Sequence, residues 1–242
     1  MHLKAMSKII HVLDKRLALE QPENGFKTSI DAVLLAAACK AREGETVLDL
    51  GCGVGSAGLC LAKRVEGIHL SGIDIQADQI ETAKRNALSN HINAQYSACD
   101  IRDYKEQECF DHVICNPPYM GAGAHLASPH KSKALAMGHA DTALEEWLDV
   151  ACKALKHGGS LSLIHRADHI DHIIKGFKNR FGGVEIIPLY PKAGKEAGRV
   201  IVRALRNSKS PAIIHSGLIL HNDEGGYSAE AEKILRGMDA ID

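Results

Sequence analysis

The run Asp49-Leu50-Gly51-Cys52-Gly53-Val54-Gly55 follows a β-rich segment and leads into helix-forming residues. Three glycines in five positions let the backbone turn tightly and approach a ligand, with the N-terminus of the next helix aimed at it. Two kinds of ligand use such a loop. A dinucleotide needs G-x-G-x-x-G, with its pyrophosphate on the helix and an acidic residue about 20 positions on. Here the third glycine is Gly55, position 56 is Ser, and Asp49 sits two residues before Gly51. A carboxylate at that place repels a pyrophosphate and attracts an α-amino cation. The loop therefore favours S-adenosylmethionine, which carries an ammonium and a sulfonium but no phosphate.

Two further acids keep step with the loop. Asp74, followed by Ile75, closes the second β-rich run, where a carboxylate can accept from both hydroxyls of a ribose. Asp100-Ile101 closes the third, where Asp100 can accept from an adenine amino group. The fourth run, Asp111-His112-Val113-Ile114-Cys115, enters Asn116-Pro117-Pro118-Tyr119. Two consecutive prolines fix φ and remove two N–H donors, which leaves a rigid loop of acceptors. The Asn116 side-chain oxygen and the Pro117 carbonyl can accept together from one NH₂ group, and Tyr119 offers a face for a planar base or amide. Such a loop suits a conjugated nitrogen nucleophile.

Together, the D-x-G-x-G-x-G loop, the strand-end acids and N-P-P-Y resemble the class I S-adenosylmethionine-dependent methyltransferases that modify exocyclic or amide nitrogens. The likeness widens to Phe26-Lys27-Thr28-Ser29-Ile30-Asp31-Ala32-Val33-Leu34-Leu35-Ala36, to Gly198-Arg199-Val200 and to Asp223-Glu224-Gly225-Gly226-Tyr227. These segments are similar to the bacterial tRNA(Val) adenine N6-methyltransferase family, and the resemblance runs from residue 20 to 237. It implies that Asp49, Gly51, Gly53 and Gly55 hold the methionine end of the cofactor, with Thr28 and Asp31 closing over it. Asp74 would hold the ribose, Asp100 and Ile101 the adenine, and Asn116, Pro117 and Tyr119 the target base, with Ile75 and Asn116 also counted among the residues lining the cofactor. The methyl is already activated in the cofactor, so the chain is expected to align an in-line displacement without a dedicated general base.

The elements that must position these residues follow a βαβ rhythm. Short β-rich runs at 46–50, 69–73, 94–98, 110–115 and 160–165 alternate with helical stretches. Helices are expected over 29–42, over roughly 142–155 with a Thr142/Glu145 capping box and a Gly158-Gly159 stop, and near 168–180. Strands near 184–189 and 199–205 lie close enough to pair as an antiparallel edge, with another strand near 212–220. The expected fold is α/β: a Rossmann-like, seven-stranded, doubly wound sheet, mostly parallel with an antiparallel edge strand, in three αβα layers. A single domain is expected, with a helical extension at 1–43, a catalytic core at 44–206 and a C-terminal decoration at 207–242.

Composition narrows the partners. The 242 residues are 45% apolar, and no run reaches the ~20 apolar residues of a membrane helix. No signal peptide is apparent either, so a cytoplasmic protein is expected. Seven scattered cysteines without C-x₂-C spacing read as reduced thiols, not disulfides or a zinc site. The net charge is −1, but residues 166–209 hold 10 basic and 4 acidic residues, a block that includes Lys175, Lys178, Arg180, Lys192, Lys195, Arg199, Arg203 and Arg206. Such a block can meet RNA phosphates, and a base in a single-stranded loop is cheap to extrude. His165, His169 and His172 are spaced i, i+4, i+7 and read as a solvated helix face and not a metal site, with His165 expected at a strand end, and the acid-free stretch 120–138 reads as a lid or a surface loop. The expected substrate is adenine N6 in tRNA. Rivals are guanine N2 of rRNA or the glutamine amide of a release factor, an NAD-dependent oxidoreductase, and a non-catalytic RNA-binding module.

Overall fold

In the computed structural model, residues 7–22, 29–119 and 144–241 are described. Thr28, the 120–138 segment and the Thr142 cap lie outside these residues. Among the described residues, no helix is long and apolar enough to cross a membrane.

The chain opens with strands β1 (Ser7–Val12) and β2 (Leu17–Pro22), which pair antiparallel. The expected helical extension is therefore corrected: before residue 30 the described chain is a hairpin. Leu17, Leu19 and Gln21 are buried while Ala18 and Glu20 are partly exposed, the period of two that a half-buried strand requires. Helix α1 (Ile30–Ala38) follows, with Ser29 as its cap, accepting from the Asp31 N–H. Eight of its nine residues are buried, so it reads as a core helix and not an amphipathic one.

Five parallel strands alternate with helices: β3 (Thr46–Leu50), α2 (Ser56–Arg64), β4 (His69–Asp74), α3 (Ala77–Ser89), β5 (Ala94–Ala98), β6 (Phe110–Cys115), α4 (Leu144–Ala154) and β7 (Leu155–Arg166). Helix α4 gives way to β7 at Leu155, before the Gly158-Gly159 pair expected to stop it, because Leu155 already pairs with Phe110. After α5 (Ile170–Phe177) come β8 (Phe181–Tyr190) and β9 (Arg199–Arg206). Strand β9 inserts antiparallel between β7 and β8. The order β8-β9-β7-β6-β3-β4-β5 is the expected seven-stranded sheet. Two-residue strands β10 (Ile213–Ile214) and β11 (Leu218–Ile219) add to β8, making nine.

Side chains alternate across this sheet. Val47, Ile114, Ile164 and Ile201 join a core with α1, α2, α3 and β2, whereas Leu48, Val113, Leu163 and Val202 join Trp147, Leu148 and Phe177 of α4 and α5. Both faces are thus buried, as in a doubly wound sheet. Strand order reverses between β3 and β6. Ligands in open α/β sheets bind beyond the carboxyl ends of the strands at such a reversal, and there lie Gly51 and Asn116.

Candidate active site

Pairing of Leu50 with Ile73 and with Cys115, and of Asp74 with Ala98, sets the ends of β3, β4, β5 and β6 at one level. The predicted Asp49, Asp74, Asp100 and Asn116 are therefore brought to one edge of the sheet. The turn after β3 is pinned from beneath, since the N–H groups of Gly51 and Cys52 both donate to the Ile73 carbonyl. Gly51, Gly53 and Gly55 have φ of +74°, +54° and +83°, the left-handed region that favours glycine. Their reasons differ. A Cβ on Gly51 would stand 2.5 Å from the Trp147 ring and one on Gly55 2.8 Å from the Tyr96 hydroxyl, so these two answer to protein packing. A Cβ on Gly53 would meet nothing within 4 Å, so Gly53 is the glycine that faces open space.

Asp49 is 2% exposed, and its Oδ2 accepts from the Gly58 N–H at 2.8 Å. Burial pushes its carboxyl up to about 7, partly offset by that hydrogen bond and reinforced by the Asp74 charge. A buried carboxylate in that state is one for which a cation is the missing partner. The same bond places a negative group on an amide in the first turn of α2, where a dinucleotide would seat its pyrophosphate. Sequence reasoning missed Gly58. A Cβ there would come within 2.9 Å of both Asp49 Oδ2 and Leu70 Cδ1, so the helix can approach Asp49 only as glycine. The spacing of a fourth glycine seven residues after Gly51 was the available signal.

Asp74 accepts from the Gly53 N–H through Oδ2 and from the Gln76 N–H through Oδ1, both at 2.9 Å. It ties the glycine loop to the end of β4 and retains lone pairs for hydroxyl donors. Ile75 beside it is a large apolar residue left 37% exposed. Asp100 caps the 3₁₀ turn Ile101–Asp103 by accepting from the Arg102 N–H, and it also pairs with the Arg102 guanidinium at 2.5 Å. Ile101 is buried under it.

At the end of β6, Asn116 Oδ1 is buried and, among the described residues, has no hydrogen-bond partner. Leaving such an acceptor unpaired costs about 1–3 kcal/mol, so a donor is missing from the site. Tyr119 donates its hydroxyl to Asp31 Oδ2 at 2.9 Å, and Arg199 Nε meets the same oxygen at 3.0 Å. Burial raises the Asp31 carboxyl, and Arg199 and Tyr119 pull it back. Burial, together with Asp31, holds the Tyr119 phenol far above its ordinary range. Asp31, which the resemblance assigned to closing over the cofactor, thus serves Tyr119 through Oδ2, while its Oδ1 is buried without a partner among the described residues. His165, 2% exposed, meets the Tyr119 ring edge-on at 5.1 Å. Burial lowers it to about 4, so it is a neutral imidazole. As expected, His165 lies at a strand end, in β7; His169 closes the 3₁₀ turn Ala167–His169 and His172 lies in α5, with ring centroids 4.9 Å apart for His165 and His169 and 5.6 Å for His169 and His172.

The basic block divides between paired and open side chains. Arg180 pairs with Asp149, Arg203 with Glu185, Arg206 with Glu108 and Lys178 with Asp149. Arg180, Arg203 and Arg206 are thereby largely covered, whereas Lys178 stays half exposed.

An open sheet that reverses at an acid-flanked glycine loop, with a cation-seeking carboxylate and a ribose-competent acid, defines a class I methyltransferase that takes its methyl from S-adenosylmethionine. The comparisons agree. Residues 27–189 match the family described as Methyltransferase small domain, and the chain belongs to that family. It is similar to the tRNA1(Val) (adenine(37)-N6)-methyltransferase of Vibrio campbellii, 25% identical over 228 residues that cover 92% of each chain. Among solved structures it resembles a predicted O-methyltransferase from Agrobacterium tumefaciens, with a TM-score of 0.72, 27% identity and coverage of 87% of this chain and 98% of that one. The fold is shared with a 16S rRNA N2 methyltransferase from T. thermophilus, solved with AdoMet and guanosine. That match has a TM-score of 0.59 and 19% identity over 83% of this chain and 50% of that one.

Proposed function

We propose that the protein methylates N6 of adenine in tRNA, at the nucleotide beside the anticodon. The observation that carries the reading is Asn116 Oδ1, an acceptor buried without a partner among the described residues, on a loop that Pro117 and Pro118 make rigid. An exocyclic NH₂ has two N–H donors, which match that oxygen and the Pro117 carbonyl. A hydroxyl nucleophile has one donor and would leave an acceptor unpaired, so the loop favours nitrogen over the oxygen chemistry suggested by the Agrobacterium neighbour's description. The adenine and the tRNA are supported by the descriptions of relatives that match nearly the whole chain.

S-adenosylmethionine, when bound, supplies a methyl on a sulfonium, so transfer to nitrogen is an in-line displacement in which the carbon–sulfur electron pair leaves as a neutral thioether. The residues of the chain do the aligning. Asp49 would hold the α-ammonium, Asp74 the ribose hydroxyls, and Asp100 and Ile101 the adenine, with Ile75 beside them. Asn116 and Pro117 hold both N–H bonds of the target amine, which turns its lone pair out of conjugation and toward the methyl. Tyr119, fixed through its hydroxyl by Asp31, gives the base a face to rest on. The amine becomes acidic only after the new bond forms, and its proton then leaves to water.

Mass spectrometry of nucleosides from tRNA(Val) incubated with enzyme and S-adenosylmethionine tests the proposal. N6-methyladenosine is expected; N2-methylguanosine, a 2′-O-methylated nucleoside, or no methylated nucleoside would each overturn it.

A further inference from the structure

A cavity of about 370 Å³ adjoins Tyr119 and is lined by Arg166, Arg199, Leu189, Pro191 and Leu220. It shares Tyr119 with the target-base loop, so the chain neighbours of any base resting on that ring fall within its reach. Its lining suits a nucleotide: two guanidinium groups, and an apolar wall exposed at Pro191 and backed by the buried Leu189 and Leu220. Arg166 ends β7 and Arg199 begins β9, and the two are direct partners across the antiparallel pair, so rigid strand ends set their spacing.

The two arginines differ from the others in the 166–209 stretch. Arg180, Arg203 and Arg206 are bound to acids and largely covered. Arg199 commits its Nε to Asp31, but among the described residues its terminal nitrogens carry no protein hydrogen bond, and its side chain is 36% exposed. Arg166 is paired with Asp168, and both side chains are about half exposed. An exposed pair of this kind exchanges partners at little cost. Asp31 and Asp168 are the acids in contact with these guanidinium groups; the first is buried and already shared with Tyr119, and the second is displaceable.

We propose that this cavity is a subsite for a nucleotide flanking the target base, in which Arg166 and Arg199 hold its phosphate and Pro191 meets its base or sugar. The inference rests on the RNA substrate proposed above and adds to it a duty for Arg199 as a positioning residue. Its Nε orients Asp31 and thereby Tyr119, while its terminal nitrogens receive the phosphate, so seating the flanking nucleotide and aligning the base become one event.

The test uses the full chain, S-adenosylmethionine and a synthetic anticodon stem-loop of tRNA(Val), with steady-state rates measured over a salt series. Wild type, Arg166→Ala, Arg199→Lys and the α3 surface control Lys84→Ala are compared, with S-adenosylhomocysteine affinity measured by calorimetry. For Arg166→Ala we expect KM to rise about tenfold with kcat little changed, and the log–log salt slope to become shallower by roughly 0.7, the value of one single-strand phosphate contact. Arg199→Lys is expected to lower kcat as well, because one ammonium cannot serve Asp31 and a phosphate together. S-adenosylhomocysteine affinity is expected to be unchanged in both, a result that general unfolding would not give. If wild type methylates the stem-loop and Arg166→Ala matches Lys84→Ala in KM and salt slope, the subsite is refuted while the substrate assignment stands. If wild type transfers no methyl to RNA, the substrate assignment falls and takes the subsite with it.

Discussion

Asp49→Asn isolates what the buried carboxylate contributes. Asparagine keeps the shape and the acceptor for the Gly58 N–H, so the substitution removes a charge and little else. In the folded protein the Asp49 carboxyl is raised from 3.8 to about 7, chiefly by burial. The folded state therefore holds its proton where the unfolded chain has lost it. Stability from this group is fully present below about pH 4 and is lost as pH rises through about 7. Three pH units at about 1.36 kcal/mol each set an upper bound of about 4 kcal/mol. The wild-type profile alone does not show this, because His165 is lowered to about 4 by burial and works in the opposite sense. Its stabilisation is present above about pH 6.5 and is lost as pH falls toward 4.

The difference between variant and wild type cancels the histidine. Urea unfolding at a series of pH values is expected to show Asp49→Asn gaining on wild type between about pH 4 and pH 8, by as much as about 4 kcal/mol. In the same range, wild-type affinity for S-adenosylhomocysteine is expected to rise up to about pH 7 and then level off, since the ammonium needs the ionised acid. The variant should bind weakly at every pH. A stability difference that stays flat with pH would refute the buried, proton-retaining Asp49. An undiminished affinity would refute its role toward the ammonium.

Asn116→Ala is expected to leave S-adenosylhomocysteine affinity intact in calorimetry and to remove most turnover, because the amine loses one of its two acceptors. Undiminished turnover would sink the nitrogen-loop assignment. Gly58→Ala forces a methyl group against Asp49 Oδ2 and Leu70, and should cost about 1–3 kcal/mol in urea unfolding and weaken cofactor binding along with it. Arg203→Met strips Glu185 of its buried guanidinium and leaves the carbonyls of Ala38 and Ile241 without that donor. A loss of about 2–4 kcal/mol is expected in thermal unfolding, with cofactor affinity per folded molecule unchanged. A loss of binding without a loss of stability would contradict a purely structural Arg203.

The parallel half of the sheet was legible because each of its signals is local. Strand β3, the three glycines and α2 occupy one continuous stretch, and Asp49, Asp74, Asp100 and Asn116 each sit where a β-rich run stops. Parallel strands then fix the rest, since all their carboxyl ends share one edge of the sheet. Gly51 shows the limit of that reading. Its position in the loop was plain, but its reason, the Trp147 ring 2.5 Å from where a Cβ would stand, comes from a helix almost a hundred residues away. The hairpin at 7–22 was missed for a related cause. Leu17 and Leu19 do alternate, but what makes that alternation a strand is its dock on α3, where Asn86 and Asn90 take the backbone N–H groups of Glu20 and Ala18.

The least legible feature is the one that completes the site. Asp31, Tyr119 and Arg199 come from α1, the loop after β6 and the first residue of β9, and no spacing in the sequence relates them. Charge counting placed Arg199 in a diffuse basic block. Sequence alone cannot separate an arginine that faces solvent from one whose Nε is held by a buried carboxylate. The antiparallel insertion of β9 beside β7 is what converts it, because that register puts Arg199 opposite Arg166 at the edge where β6 delivers Tyr119. A parallel β9 would carry Arg199 to the far edge of the sheet, with Asp31 buried and charged against no cation. The antiparallel strand is thus the element that brings Arg199 to Asp31 and Tyr119, beside the loop proposed to hold the substrate.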